Sequence, residues 1–514
     1  MKSPAPAIRV HASTNFAHLR RTLRRLVSEC EPESIAVVAP RLALMSPKRR
    51  QRIRDIAAEF GVTICEQAID RPGAVVVDME AGVDVVGDWL TPLLAELQQP
   101  GVRAVAPLVL HLDGTIAAAG WADGQPWLAG LTTEDAQSLS GRPMAGLGSA
   151  CVVHRIGGTT GELRLVPQVW VRQHADVAPS QVYTDQVAPP TPPGLTPVAG
   201  NWSRLRAEVS EPRPHLRWAL KNPAPSGQRG EKWGDTHFAR LLADALRTLG
   251  QEVVIDHRGA FGRSSGHLDD VVLVLRGLED YAPRPEHVNM LWLISHPELV
   301  DGAECHKYDV RYAASDTFCA RHSDWGLRPL LQCTDPARFS PALAQPDSGD
   351  QVLFVGNNRG AGRPIVHDAV AAGLPLSVYG WAWADLLPPG VHRARHLPHA
   401  DLGAAYRAAG MVLGDHAPEM ASEGFISNRI FDAVASGART VSDPVVGLHN
   451  VLPSVQIATD PTDLVVLWQE RHSTFGTDHD LIAAATHVRE KHSFEQRAQV
   501  LLSDAIEVWR EKLR

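Results

Sequence analysis

The sequence predicts an α/β protein: an N-terminal α/β domain, a proline-rich connector, then two consecutive Rossmann-like domains. Short runs of aliphatic and β-branched residues alternate with amphipathic helical stretches, the pattern of buried parallel strands joined by crossover helices. This alternation forms two successive series after residue 215, and eight prolines within 176–214 divide them from an earlier one. At 514 residues the chain exceeds what one core supports, and roughly 150 residues per domain suggests about three domains.

Taken in order, 1–175 carries candidate strands at 35–40 (IAVVAP), 74–79 (AVVVDM) and 104–110 (AVAPLVL). Between the last two, 89–97 reads as a helix that tolerates Pro92 in its first turn. The prolines of 176–214 fix φ and withhold amide donors from a sheet, so that segment reads as a linker. Domain 215–345 has candidate strands at 216–221, 252–256, 271–275, 290–295 and 310–315. Between the first two, Phe238, Leu241, Leu242, Ala245 and Leu246 share one helical face that stops at Gly250. Domain 346–514 repeats the order, with strands at 351–356, 376–380, 411–415 and 439–443 and a helix at 424–436. The end, 478–513, is helical and caps or crosses between the two halves.

Hydrophobic content of 44% and charged content of 21%, with 41 Gly and 38 Pro, fit an ordinary globular chain rich in turns. Fifty Lys and Arg against 58 Asp and Glu give a net charge of −8, so no nucleic-acid partner is expected. Cysteines 30, 65, 151, 305, 319 and 333 include no C-x-x-C pair and read as free, mostly buried thiols. The first residues lack the apolar centre of a signal peptide, and no run approaches the ~18 apolar residues of a spanning helix. The cytoplasm is the expected compartment, with no integral membrane segment.

The most informative segment is LGDHAPEMASEGFISNRIFDAVASGARTVSD, 413–443. A strand ends at Asp415, a polar loop follows, and a helix is expected to start near Gly424. In open parallel sheets ligands sit outside the carboxyl ends of strands, and a helix start favours phosphate. Asn428 and Asp432 are four apart and Arg429 and Asp432 three apart, so these groups cluster. Asp432 can accept both hydroxyls of a ribose. Alternatively Arg429 and Asp432 form a surface ion pair and Glu423 complements the helix dipole.

In VGNNRGAGRP, 355–364, a strand leads into a helix. After Gly356, the amides of Asn357, Asn358, Arg359 and Gly360 and the guanidinium of Arg363 are expected where a diphosphate would lie, because Arg donates in a planar fork. The glycine spacing is not G-x-G-x-x-G, and an ordinary helix-opening loop is the alternative. In the first half, Asp235 and His237 lie at a helix start, suited to taking a proton from a hydroxyl or, alternatively, to capping and packing. His296 ends a strand and either faces a cleft or is a hydrogen-bonded strand-end residue.

SNRIFDAVASG (427–437) resembles the helix of GT-B glycosyltransferases of the family 1-like branch that includes spore-coat-maturation-type proteins. The resemblance spans about 215–470 and includes KWGDTHFARLLADAL (232–246), ISHPE (294–298), VLFVGNNRG (352–360) and VYGWAW (378–383). It implies a transferase, as in polysaccharide biosynthesis, that moves a sugar from a nucleotide diphosphate sugar to a hydroxyl acceptor: a glycan, lipid-linked glycan, protein or small molecule. It implies no metal in this part, with Arg363 and the 357–360 amides offsetting leaving-group charge. Glu423 would sit by the sugar, Asp432 on the nucleotide ribose, Asn428 and Arg429 around the donor, and His296 on the donor sugar. Asp235 or His237 would handle the acceptor proton, a role that falls if the enzyme retains configuration. The step from Glu423 to Asp432 is nine, and the second acid is Asp where the family's pattern has Glu at a shorter step.

VVVDMEAG (75–82), GVRAVAPLVLHLDGTIAAAGW (101–121) and GLGSACVVHR (146–155) resemble a family-A (GT-A), rhamnosyltransferase-like glycosyltransferase. There an acidic pair holds a divalent metal against the donor diphosphate, and Asp78 and Glu80 match it. The later acidic motif is missing, with only Glu162 nearby, which implies a degenerate domain and Mg2+ or Mn2+ only if that domain is active. Two further readings share the architecture: a nucleotide-sugar epimerase, and a non-catalytic nucleotide-sugar-binding scaffold.

Overall fold

The structure, a computed structural model, describes residues 6–514 except 14, 41, 67–72, 149, 159, 175–181, 199–200, 344–348, 359 and 361. These group into two compact units. One comprises Met1–Arg206, Ala224–Thr236 and Val254–Asp269, and the other Ala207–Pro223, His237–Val253 and Asp270–Arg514.

The first unit is built on a mixed sheet in the order Thr63–Cys65, Ile35–Val38, Ala7–His11, Val75–Glu80, Cys151–Arg155, Val102–Leu110, Glu162–Gln173, Val83–Asp84. The first four strands are parallel, and Cys151–Arg155 runs antiparallel to both its neighbours. The apolar runs read as strands form strands, because both faces are covered: Val37, Val77, Met79, Val105 and Val153 sit in one buried cluster, and Ala104, Ala106, Leu108 and Val152 in another. The predicted helix spans Leu90–Leu97. The segment read as a linker is not one throughout. Val182–Thr184 pairs antiparallel with Gly146–Gly148, and Leu195–Val198 pairs with Asn201–Arg204, burying Leu195 and Trp202. These are two-stranded edges, where proline's missing amide is tolerated.

Also in this unit, the Arg263 guanidinium is buried between Asp256, at 2.8 Å, and Asp269, at 2.6 Å, and donates to the Ser265 hydroxyl at 2.9 Å. Removing one member of a buried ion network leaves uncompensated charge. Arg263→Met is therefore expected to destabilise the protein by about 3–5 kcal/mol, read from urea denaturation. A midpoint shifted no more than for a surface substitution would show the network to be dispensable.

The second unit contains two sheets. In the first, Arg217–Asn222, Val271–Arg276, Val288–Leu293, Val310–Ala313 and Arg328–Pro329 lie side by side, all parallel. The second runs His392–Ala394, Leu376–Tyr379, Val352–Val355, Met411–Gly414, Thr440–Ser442, Gln456–Ile457, all parallel. Successive side chains of its strands alternate between two apolar layers. Val352, Phe354, Met411 and Leu413 pack with Ile365 and Leu464, whereas Leu353 and Val412 pack with Ile430, Phe431 and Val488. The last helix, Phe494–Lys512, returns to the first sheet. Asp504 bonds Tyr312 and Arg328, Lys512 pairs with Asp309 at 2.7 Å, and Arg497 donates to the Leu331 carbonyl at 2.7 Å. The expected helical end thus crosses between the halves.

Among the described residues no helix is long and apolar enough to cross a membrane. All six cysteines are free, four of them buried.

Candidate functional site

In the second sheet the strand order reverses between Val352–Val355 and Met411–Gly414, and such a switch point opens a crevice at the carboxyl ends. The loop after Val355 is pinned there to the loop after Tyr379. Asn358 N donates to the Trp381 carbonyl at 3.0 Å, Trp381 N to Asn357 Oδ1 at 3.0 Å, and Trp383 Nε1 to the Gly356 carbonyl at 2.7 Å. A Cβ on Gly380 would collide with the Gly356 carbonyl, so that position requires glycine, and one on Gly356 would displace the Arg429 guanidinium. Asn358 thus spends its amide within the protein, and its side chain donates to the Gly360 and Ala382 carbonyls. Arg359 lies outside the described residues.

Arg363 does not stand open to a diphosphate. Its side chain is 4% exposed, its Nε donates to the Asn357 carbonyl at 2.8 Å, and it pairs with Asp415. Arg429 reaches the same Asp415 oxygen at 3.3 Å and is 19% exposed. Both guanidinium carbons lie over the Phe354 ring, at 5.4 and 5.2 Å. Two cations thus share one buried carboxylate. The guanidinium with donors to spare is Arg429, while Arg363 positions it through Asp415.

The helix expected from Gly424 starts later, at Asn428, with Ser427 as N-cap. A short helix, Pro418–Ser422, ends at Glu423, and Gly424 follows at φ +74°, the left-handed turn glycine allows. Glu423 therefore lies at a helix carboxyl end, away from the amides it was expected to flank. At the true start, His416 Nε2 accepts from Ser427 N at 2.8 Å, which places the ring proton on Nδ1, 2.6 Å from Asp443. Ser427 Oγ and Asn428 Oδ1 are buried without partners there. Such atoms mark where a ligand's polar groups fit.

Asp432 is 8% exposed and accepts from the Thr334 hydroxyl at 2.7 Å and from Asn428 Nδ2 at 2.8 Å. It does not form the surface ion pair with Arg429. Burial pushes its carboxyl up to about 8, aided by the Asp335 charge and opposed by the two hydrogen bonds and Arg429. The folded state therefore holds a proton that the unfolded chain loses near pH ~4. The stability so contributed is complete below that value and is lost as pH rises through about 8. Asp432→Asn should remove this decline, so that its urea midpoint gains on wild type between pH 5 and pH 8. Parallel profiles would refute the protonated state.

Residues of the first half meet this region. Glu423 is ion-paired with Arg321 and its carbonyl accepts from Ser315 Oγ at 2.6 Å, while Phe425 packs edge-on against Phe318 at 5.3 Å. His296 follows the strand Val288–Leu293 in a left-handed conformation, φ 54° and ψ 54°, with its Nδ1 2.9 Å from Glu298. A non-glycine residue held there stores strain of the kind that collects at functional sites. His237 stacks face to face on His399. Asp235 is instead part of the first unit, in the first turn of Gly234–Thr248, inside the helix and not at its cap.

In the first unit, Asp78 and Glu80 lie on one strand face beside the switch point between Ala7–His11 and Val75–Glu80. Both Asp78 oxygens are taken: one by His11 at 3.1 Å, the other by His154 at 2.7 Å and Tyr183 at 3.2 Å. Burial pushes its carboxyl up, but the hydrogen bonds and charges of His11 and His154 outweigh this and hold it far below the usual range. Among the described residues no group of His, Cys, Asp and Glu is arranged to hold a metal ion. A carboxylate whose two oxygens already accept from two histidines and a tyrosine is not placed to take Mg2+ or Mn2+.

Sequence reasoning missed Asp415, His416, Asp443 and Thr334. Asp415, His416 and Asp443 immediately follow the strands Met411–Gly414 and Thr440–Ser442, so polar residues just past a parallel strand were the available signal. Thr334 carried none, because its partner is 98 positions away.

Residues 361–503 match the family model described as glycosyl transferase-like. No curated protein matches the chain. Among solved structures, the glycosyltransferase AviGT4, involved in Avilamycin A biosynthesis, is 18% identical, with 58% of this chain and 98% of that chain covered and a TM-score of 0.42. Anabaena Alr3699/HepE, solved in complex with UDP-glucose, is 10% identical, with 56% of this chain and 100% of that chain covered and a TM-score of 0.41. These are remote likenesses.

Proposed function

We propose that the chain is a glycosyltransferase of GT-B type, in the spore-coat-maturation-type branch, whose two halves, 215–345 and 346–514, transfer a sugar from a nucleotide diphosphate sugar to a hydroxyl acceptor. One observation carries the reading. Inside the region that matches the glycosyl transferase-like model, a half-open arginine, a helix start with unpartnered polar atoms and a buried carboxylate meet at a parallel-sheet switch point. The bond from the anomeric carbon to the diphosphate breaks, the acceptor oxygen bonds that carbon, and the hydroxyl proton leaves. Arg429 and the amides at Asn428 offset charge on the departing diphosphate without a metal. Asp432 has two hydrogen bonds filled of the roughly four a carboxylate accepts, which leaves room for ribose hydroxyls. Asn428 shapes the donor side, His296 contacts the sugar, and His237 takes the acceptor proton if configuration inverts. Glu423, tied to Arg321, holds the 418–426 loop against the first half beside the sugar. The first unit is a degenerate GT-A-like domain, a reading supported by the hydrogen bonds that occupy both oxygens of Asp78. The compartment is the cytoplasm.

A thermal-shift screen of nucleotide sugars tests the donor site. At least one should stabilise wild type, Asp432→Ala should lose the shift, and Arg429→Gln should weaken donor binding on the order of tenfold to a hundredfold. No stabilisation by any nucleotide sugar, or the same shift in Asp432→Ala, would end the reading. His296→Gly relieves the left-handed strain, so its stability should equal wild type or exceed it by up to ~1 kcal/mol, while transfer falls. Undiminished transfer would remove His296 from the site.

A further inference from the structure

A second polar cluster lies one residue beyond the proposed ribose carboxylate. Thr334 bonds Asp432, and the next residue, Asp335, pairs with Arg338 Nε at 3.0 Å. Arg338 Nη1 in turn donates to His399 Nδ1 at 2.8 Å. That fixes the His399 proton on Nε2, pointing a donor outward. His399 stacks on His237 with ring centroids 4.6 Å apart and planes 8° from parallel. Burial, then the charges of His237, Arg338 and His396, push the His399 imidazolium down to about 4, so the ring is neutral and can sit among cations. The Arg338 side chain is 44% exposed. Beside it, 392–399 reads HRARHLPH, with Arg395 over the Trp381 ring at 5.2 Å and both Arg395 and His396 exposed. Asp335 is already paired, and Asp401, close by in sequence, is exposed at the start of Leu402–Ala408.

The strip therefore presents fixed N–H donors and uncompensated positive charge beside the crevice, in a chain whose net charge is −8. Arg429 already serves the donor's diphosphate, so these cations belong to another substrate group. We infer that Arg338, His399 and His237, flanked by Arg395 and His396, form an anion site that binds a phosphate group carried by the acceptor. This rests on the donor-site reading above, and it assigns His237 to holding the acceptor, not to taking its proton. A phosphate seated there would keep the acceptor within reach of a sugar bound beside Asp432.

Calorimetric titration of the full chain tests it, with inorganic phosphate, glucose 6-phosphate, and phosphatidic-acid vesicles against phosphatidylcholine vesicles. Wild type should bind at least one phosphate probe saturably. Arg338→Gln should weaken that binding about tenfold or more, Arg338→Lys only a few-fold, and both Arg395→Gln and Arg429→Gln less than Arg338→Gln. Binding confined to phosphatidic acid would assign the phosphate to a lipid, and binding of glucose 6-phosphate to a soluble sugar; either supports the site. No phosphate binding by wild type, indifference to Arg338→Gln, or equal loss in Arg429→Gln would overturn it. If no nucleotide sugar stabilises the protein while phosphate binding still depends on Arg338, the donor reading fails and the anion site stands.

Discussion

The Asp415 carboxylate is the interaction on which the second half of the site depends. It follows directly on the strand Met411–Gly414 and meets Arg363, which precedes one helix, and Arg429, in the first turn of another. Two guanidinium groups over one phenyl ring repel each other, and burial strengthens that repulsion. The carboxylate converts it into attraction and thereby fixes three elements at the switch point. Arg429, 19% exposed and held there by one long bond, is the guanidinium of the two that reaches the crevice.

The contacts joining the halves of the second unit differ in kind from those within each half. Inside each sheet, strands bury aliphatic layers on both faces. Between the halves, besides the last helix and the contacts of Arg338 and His237 with His399, the links beside the crevice are Thr334 to Asp432, Ser315 and Arg321 to Glu423, and Phe318 to Phe425. The Arg321 side chain is half exposed, so its ion pair contributes at most about 1 kcal/mol. The aromatic contact and the buried hydroxyl bond hold more. The proposed ribose carboxylate is thus itself one of the inter-half links, and any ligand that engages Asp432 acts on the junction as well as on its own site.

The strands were legible because burial on both faces demands uninterrupted aliphatic runs, and 271–276 and 352–355 supply them. The clustering of Asn428 with Asp432 was legible because helical spacing alone brings them together. What failed were choices decided by partners far away in sequence. Nothing local says that Arg363 is the buried arginine and Arg429 the open one, since both converge on Asp415 from 52 and 14 positions away. The helix start was misplaced because Gly424 ends one short helix before Ser427 opens the next. The proline-rich segment read as a linker because proline's lost donor matters only in interior strands, and the strands it forms are edges.

Availability to a ligand is set by what the protein has already spent, which ranks the expected site residues in a way their chemical type does not. Asp78 has the identity of a metal ligand, yet His11, His154 and Tyr183, 67, 76 and 105 positions away, consume both its oxygens. Arg363 has the identity of a phosphate clamp but donates inward. Arg429 makes one long bond and stays partly open. Asp432 lies between these extremes. Its two hydrogen bonds stabilise the anion while burial favours the acid, so its charge responds to whatever donor next enters the crevice. A hydroxyl pair arriving there tips that balance toward the carboxylate and expels a proton, which makes Asp432 the residue whose ionisation and ligand occupancy are one equilibrium.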